Sequence, residues 1–290
     1  MKPAPFTYYA PDTLEEALQL LDTLDNARVL AGGQSLVPML NFRVAQPDHL
    51  IDLGRIAGLT GIEARDGGLS IGAMTTQRTI ERSELVQRHC PLLLGALDHV
   101  GHQQTRNRGT IGGSLCHLDP AAELPVVAMA LNPTLSIASR SGNRTLPFEA
   151  FPAGYLTTVM EPNEVLVRID FPQWPKRAGW AFTEFARRPA DFAVVSVAAL
   201  LIGGDDGDIQ MARIAIGGLG GMPIRAMEVE NCLLRGCIEE RIEQAVEAVR
   251  ALPADDDVNN PAEYRLDLAD ALLRRALAEA TKHIRVRQHD

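Results

Sequence analysis

The sequence predicts an α+β protein built in more than one domain, and three observations carry that expectation. Near the start, an apolar run ends on a glycine pair and continues as a turn of helix, which is a strand–turn–helix order. Around Pro172-Gln173-Trp174-Pro175-Lys176-Arg177 the periodicity stops, and two prolines mark a break. Beyond that break, three strand-like runs are followed by two amphipathic helices. A chain of 290 residues is long enough for two or three separate cores.

The elements follow in order. Thr13 caps a helix whose buried face is Leu14, Ala17, Leu18, Leu21 and Leu24, with Glu16 completing a capping box. Ala27 to Ala31 reads as a short strand ending on the first glycine pair, and Ser35 to Leu40 as helix. His49 to Leu53 is a further strand after Pro47. From Gly58 the texture changes: Gly61 to Ala64 and Leu69 to Ala73 flank Asp66-Gly67-Gly68, a hairpin signal. Thr79 to Arg88, Pro91 to Gly101 and Ala121 to Ala130 read as helices, with Arg106-Asn107-Arg108-Gly109 as a basic turn. Thr134 to Ser139 and Asn163 to Phe171 alternate like strands on either side of turn-rich sequence. After the break come Trp180 to Phe185, Phe192 to Ile202 and Ile209 to Gly217, an antiparallel set with a turn over Gly203 to Asp208. Glu239 to Leu252 and Leu266 to Ile284 close the chain as helices around the acidic loop Ala254 to Asn260. The implied division is 1–57, 58–175 and 176–290.

Composition narrows the function. Lys and Arg total 28 against 37 Asp and Glu, a formal net charge of −9, which argues against nucleic acid and anionic membranes. No run of about 18 apolar residues predicts a transmembrane helix. The first residues show no secretory h-region, so the chain reads as cytoplasmic. Cys90, Cys116, Cys232 and Cys237 form no C-x-x-C pair, so they read as free thiols rather than as a metal or cluster cradle. His99, His102 and His117 specify no complete ligand set, and no metal site is expected.

Two glycine pairs carry the chemistry. The first is Ala31-Gly32-Gly33-Gln34-Ser35; the second is Thr110-Ile111-Gly112-Gly113-Ser114. A Gly-Gly pair beside a hydroxyl lets backbone N–H groups approach phosphate oxygens that a Cβ would obstruct. Two such sites far apart in sequence fit two phosphates in a row, as in a dinucleotide. Neither is G-x-G-x-x-G, so the ordinary NAD-type site is not supported. Valine at Gly33 or Gly112 is expected to expel the ligand at either position with the fold largely kept. Gly217-Gly218-Leu219-Gly220-Gly221 lacks a helix opening at the right offset and reads as a strand-ending turn.

Three motifs then resemble one family, the FAD-binding medium subunits of the molybdenum hydroxylases. They are A-G-G-[HQ]-S-L at Ala31 to Leu36, R-N-x-G-T-[IV]-G-G-[NS]-[LI] running into H-x-D-P-A-[AS]-[DE] from Arg106 to Glu123, and [KR]-R-x-x-D-[FYW]-A at Arg187 to Ala193. The second is the most specific, and the similarity extends from Phe6 to the last helix. The resemblance implies the FAD-binding fold of the p-cresol methylhydroxylase type: two N-terminal α/β subdomains and a C-terminal domain of antiparallel sheet and helices. It places Ala31, Gly32, Gly33, Gln34 and Ser35 on one side of the FAD pyrophosphate and ribityl, with Thr110, Ile111, Gly112, Gly113 and Ser114 on the other. Asp119 and Glu123 would lie near the cofactor, one of them accepting from ribityl hydroxyls. Leu166 joins the cofactor-binding set, Phe192 would stand near the isoalloxazine face, and Asp191 would support its turn. Gln34 replaces a common His and carries no ring nitrogen for a covalent flavin link. Pro189-Ala190 stands where relatives have Gly.

The implied function is electron transfer with no catalytic residue of its own. A large molybdopterin subunit would hydroxylate an organic substrate, and electrons would pass through a small [2Fe–2S] subunit to this FAD and on to an external acceptor. The resemblance also implies a hetero-oligomer, a dimer of three-chain units. A stand-alone FAD-dependent oxidase or reductase is the alternative; it would need an acid–base residue beside the flavin. An assembly subunit without FAD is disfavoured by two intact glycine motifs.

Overall fold

The computed structural model describes residues 1–204, 208–234 and 238–287. Its first unit alternates strand and helix: β1 (Thr7–Tyr9), α1 (Leu14–Thr23), β2 (Ala27–Leu30), α2 (Leu36–Asn41) and β3 (His49–Asp52). The strands form a parallel sheet in the order β1-β3-β2, with Val29 opposite Ile51 and Tyr9 opposite Ile51 on the other side. Parallel neighbours need a crossover, and α1 and α2 supply it. Thr13 caps α1 by accepting from the Glu16 N–H, while the Glu16 carboxylate takes the N–H of Asp12, one residue before the expected partner. Ala17, Leu18 and Leu21 bury the inner face of α1 against Ile51 and Leu53.

The second unit begins with the hairpin β4 (Ile62–Arg65) and β5 (Gly68–Gly72), turned by Asp66 and Gly67 at φ 47 and 77°. The helices α3 (Gln77–Glu81), α4 (Glu84–His89), α5 (Pro91–Leu97), α6 (Gln103–Arg108), α7 (Ile111–His117) and α8 (Glu123–Leu131) follow. Then come β6 (Thr134–Ser139), β7 (Gly142–Pro147), a small ribbon of β8 (Pro152–Gly154) and β9 (Thr157–Thr158), and β10 (Val165–Phe171). The resulting sheet has the order β4-β5-β10-β6-β7.

Several expectations need correction here. The helix expected over Thr79 to Arg88 is two helices, because the Ser83 hydroxyl accepts from the Val86 N–H and restarts the chain as α4. The basic turn is the helix α6, held by Arg106, which donates to the carbonyls of Val100 and Gly101 and pairs with Glu81. β7 lies in what reads as turn-rich sequence; its side chains are mostly exposed, so it carries no apolar alternation.

The third unit is an antiparallel sheet of β11 (Ala178–Ala186), β12 (Ala193–Gly203), β13 (Ile209–Gly217) and the short β14 (Ile224–Arg225), followed by α9 (Met227–Leu233), α10 (Ile238–Val249) and α11 (Ala262–Arg287). β14 and α9 fall where no element is expected. Residues 205–207 of the turn after Gly203, and Cys237, lie outside the described residues. β12 is buried on both faces: one packs with α9–α11, the other against α5 and α8 of the second unit. A strand covered on both sides reads as a continuous apolar run, and Ala193-Val194-Val195-Ser196-Val197-Ala198-Ala199-Leu200-Leu201 is one. Two polar side chains interrupt the covered face towards the second unit, and they matter below.

Candidate functional site

The two glycine motifs meet in space. A Cβ on Gly32 would overlap the carbonyl oxygen of Arg108, and one on Gly113 would stand 3.4 Å from the Ala31 Cβ. The first contact requires glycine and the second is ordinary van der Waals contact, so the two motifs pack against each other.

Their backbones are nevertheless used differently. In the first motif, the N–H groups of Gly32, Gly33, Gln34 and Ser35 have no acceptor among the described residues. Gly33 sits at φ 74°, a left-handed position natural to glycine, and its carbonyl accepts from Val37 to start α2. The Gln34 amide folds back onto the Gly32 carbonyl at 3.3 Å. The loop borders a cleft of about 370 Å³ lined by Leu30, Ala31, Gly32, Gly33, Gln34, Val37, Pro38 and Arg108. Unpartnered N–H groups, a helix start and a guanidinium around one cleft make an anion cradle.

The second motif is the first turn of α7 and not a loop, a further difference from the sequence reading. Its N–H groups are taken: Ile111 donates to Thr75 O at 3.1 Å, Gly112 to Ala73 O at 2.8 Å, and Gly113 to Thr110 Oγ1 at 3.1 Å. A Cβ on Gly112 would stand 2.6 Å from the Ala73 Cβ, so this glycine allows α7 to press against the chain leaving β5. Ile111 and Gly112 are buried, and Ser114 is half-buried.

Downstream of α7, Leu118 is left-handed at φ 52° and ends the helix. Asp119 then accepts the Ala121 N–H at 2.9 Å. Asp119 reaches a second cleft of about 570 Å³, together with Pro120, Tyr155, Arg187, Asp191, Phe192, Gly218 and Arg265. The third motif thus arrives at the same place as Asp119, across the boundary between the second and third units. Phe192 is 72% exposed, Asp191 accepts the Phe192 N–H, and Ala190 holds a left-handed φ of 63°.

Neither cleft is lined by Thr110 to Ser114, Glu123 or Leu166. Leu166 is core, beside a bulge in β10 and in the same apolar cluster as Ile111 and Leu115. Glu123, at the start of α8, is buried, and burial reinforced by Asp119 pushes its carboxyl up to about 7.

Sequence reasoning missed several residues. The Gly218, Gly220 and Gly221 turn lines the second cleft, as does the acidic loop at Asp255, Asp256 and Asp257. Arg265 on α11 ties that loop down through Asp257 and the Gly218 carbonyl. Glu184 and Ser196 interrupt apolar strands at facing positions, a signal present in the sequence. Of the histidines, His99 stands against Glu184 and His117 near Asp119. Among the described residues no group of three or more His, Cys, Asp or Glu side chains could hold a metal.

This paired arrangement is that of a dinucleotide-binding flavoprotein, and comparison with known proteins gives its family. Residues 4–174 match the model of the FAD binding domain in molybdopterin dehydrogenase, and residues 180–280 that of the CO dehydrogenase flavoprotein C-terminal domain. Among curated proteins the chain is 38% identical to the 6-hydroxypseudooxynicotine dehydrogenase complex subunit alpha of Paenarthrobacter nicotinovorans, over 98% of this chain and 97% of that one. It is 35% identical to the carbon monoxide dehydrogenase medium chain of Hydrogenophaga pseudoflava, over 97% of this chain and 98% of that one. Among solved structures it resembles quinoline 2-oxidoreductase from Pseudomonas putida 86, with a TM-score of 0.93, 38% identity and coverage of 98% of this chain and 99% of that one. The chain belongs to the FAD-binding medium subunits of the molybdenum hydroxylases. It is an oxidoreductase subunit with FAD as its cofactor and electron transfer as its role, and the fold expected from the motifs is the one observed. Among the described residues no helix is long and apolar enough to cross a membrane.

Proposed function

We propose that FAD lies along the line joining the two clefts. Its pyrophosphate would rest on the N–H groups of Gly32, Gly33, Gln34 and Ser35, with Arg108 adding positive charge. Thr110, Ile111, Gly112, Gly113 and Ser114 would form the wall behind that loop, and Leu166 would support α7 through the shared core. The ribityl hydroxyls would reach Asp119 or Glu123, and the ring would stand beside Asp191 and Phe192. Bound FAD accepts and releases electrons singly or in pairs; the chain binds it, orients it and shields one side from water.

The observation that carries this reading is the row of unpartnered N–H groups at Gly32 to Ser35, in a loop bordering a cleft that also holds Arg108. A side-chain phosphate site could be built elsewhere, but four free backbone donors in one loop call for an anion with several oxygens.

In this reading the electrons come from [2Fe–2S] clusters in a small partner subunit. A large molybdopterin subunit oxidises the substrate, and an external acceptor removes the electrons, in the cytoplasm. The relatives are named as subunits or chains of dehydrogenases, which supports assembly with other chains.

The test is direct. Acid precipitation of the purified chain should release FAD into the supernatant, because Gln34 offers no covalent link. FMN in place of FAD, or flavin retained in the pellet, would refute it. Co-expression with small and large subunits encoded beside it should give a hetero-oligomer whose flavin is bleached by substrate. Steady turnover of an organic substrate by the isolated chain would instead favour a self-sufficient oxidase.

A further inference from the structure

A line of polar groups crosses the otherwise apolar contact between the second and third units. It starts at the surface with His99, just beyond α5, whose side chain is 38% exposed and whose ring packs on Phe182 at 5.5 Å between centroids. His99 Nδ1 is 4.0 Å from Glu184 Oε1 on β11, and the Glu184 side chain is only 3% exposed. Its other oxygen, Oε2, has no hydrogen-bond partner. Glu184 pairs directly with Ser196 on β12, so both side chains leave the same face of the sheet. Ser196 is 1% exposed, and its Oγ is likewise unpartnered. A Cβ on Gly217 would stand 2.9 Å from Ser196 Oγ and 3.5 Å from the carbonyl oxygen of Pro120, which lines the second cleft. Val194, two residues from Ser196 on the same face of β12, lines that cleft too. The row therefore runs from solvent to the floor of the second cleft.

Two unpaired buried polar atoms in one interface are costly unless they do something, since each forfeits its hydration. Neither flavin binding nor packing accounts for them. We propose that Glu184 is a redox-linked proton site, which takes up a proton from solvent past His99 when electrons arrive on the cofactor in the second cleft. This rests on the placement of FAD given above.

The electrostatics favour it. The groups that bear on Glu184 are Glu123 from α8, itself beside Asp119, and His99 with Asp98 at the end of α5. No Lys or Arg among the described residues partners either glutamate. Burial first, and Glu123 second, push the Glu184 carboxyl up to about 8; burial and Asp119 push Glu123 up to about 7. Near pH 8 Glu184 can therefore gain or lose a proton. Negative charge added in the cleft raises that value and draws one in. The balance is simple: a reductant gives two electrons, which stay on the cofactor. His99 passes a proton to a carboxylate oxygen, forming a carboxyl O–H, and is reprotonated from water.

The test uses the full chain loaded with FAD. Its midpoint potential is measured from pH 6 to 9 by spectroelectrochemistry, for wild type, Glu184→Gln and Ser196→Ala. One extra proton per two electrons adds about 30 mV of fall per pH unit. Wild type should show that extra slope above about pH 8, where the oxidised protein leaves Glu184 ionised, and Glu184→Gln should lose it, while Ser196→Ala keeps the slope. The reduced-minus-oxidised infrared difference of wild type should contain a growing carboxyl C=O band that shifts in D2O and is absent in Glu184→Gln. Equal slopes in wild type and Glu184→Gln, with flavin bound in both, would overturn the proposal. Should Glu184→Gln fail to fold, a wild-type spectrum without that band would overturn it alone. A chain with no flavin absorbance would fail at the FAD reading itself, which is a separate and visible result.

Discussion

The two glycine pairs look alike in sequence and behave differently in the structure. At Gly32 and Gly33 the backbone donors are left free and the glycines open a left-handed turn beside a cleft. At Gly112 and Gly113 the donors are consumed by Ala73, and by the Thr110 hydroxyl, while the absent side chains let α7 sit against the chain after β5. One pair leaves its backbone donors free beside a cleft; the other presents backbone to the protein. A Gly-Gly motif thus signals close approach, but its sequence does not say what approaches.

The largest effect that could break this contrast is at Gly112. Its Cβ would meet the Ala73 Cβ at 2.6 Å and the Ala73 carbonyl oxygen at 2.7 Å, both on a buried main chain that cannot yield cheaply. Gly112→Val is expected to destabilise the chain by about 3 kcal/mol or more, or to prevent folding. This revises the expectation that valine there expels flavin from an intact fold. Circular dichroism and thermal melting of the flavin-free protein decide it; a folded variant with normal melting would place Gly112 beside Gly33 in kind.

At Gly33 the outcome should be the reverse. A Cβ would come within 3.1 Å of Val37 Cγ2, on an exposed side chain that can give by the few tenths of an ångström required. The φ of 74° is the greater obstacle, costing a β-branched residue on the order of 2 kcal/mol, and its relief would turn the free N–H groups away from the cleft. Gly33→Val should therefore stay folded while its FAD affinity falls by about 100-fold, equivalent to roughly 2.7 kcal/mol. Flavin fluorescence titration gives the affinity. Full FAD occupancy in Gly33→Val would leave this loop an ordinary turn.

How much could be read beforehand follows the same division. α1, β2, β3, the β4–β5 hairpin and the three long strands of the third unit carry clean apolar periodicities, and the structure shows them within a few residues of expectation. Arg106 to Gly109 was opaque because α6 buries none of its residues and draws its support from polar contacts of Arg106, with the Val100 and Gly101 carbonyls and with Glu81, which is distant in sequence. α9 was opaque for a similar reason. Its Glu230 is buried, taking the Ile214 N–H and pairing with Arg225, so a charge occupies a core position. The motifs pointed to the candidate cofactor loops, yet only the fold could reveal that Glu184 and Ser196 face each other across two strands, in a row that ends beside Pro120 at the second cleft. A single polar residue in an apolar strand has no partner until the register is known.

The third motif offers the smallest and most discriminating change. Gly33 and Ala190 both hold left-handed backbone beside a cleft, at φ 74° and 63°, but only one is glycine. For an L-residue with a Cβ this conformation costs about 1–2 kcal/mol, against roughly 0.4–1 kcal/mol of extra unfolded-chain entropy that a glycine carries. Ala190→Gly should then gain on the order of 0.5 kcal/mol, seen as a rise of a degree or so in the melting temperature at this chain length. The Asp191 N–H to Arg188 carbonyl bond of 3.1 Å and the Phe192 N–H to Asp191 carboxylate bond of 3.1 Å should persist, so the flavin spectrum should not change. A fall in melting temperature would mean that Ala190 is not left-handed in solution. The turn carrying Asp191 and Phe192 would then approach the second cleft by a different path, and the likeness in backbone between the first and third motifs would be lost.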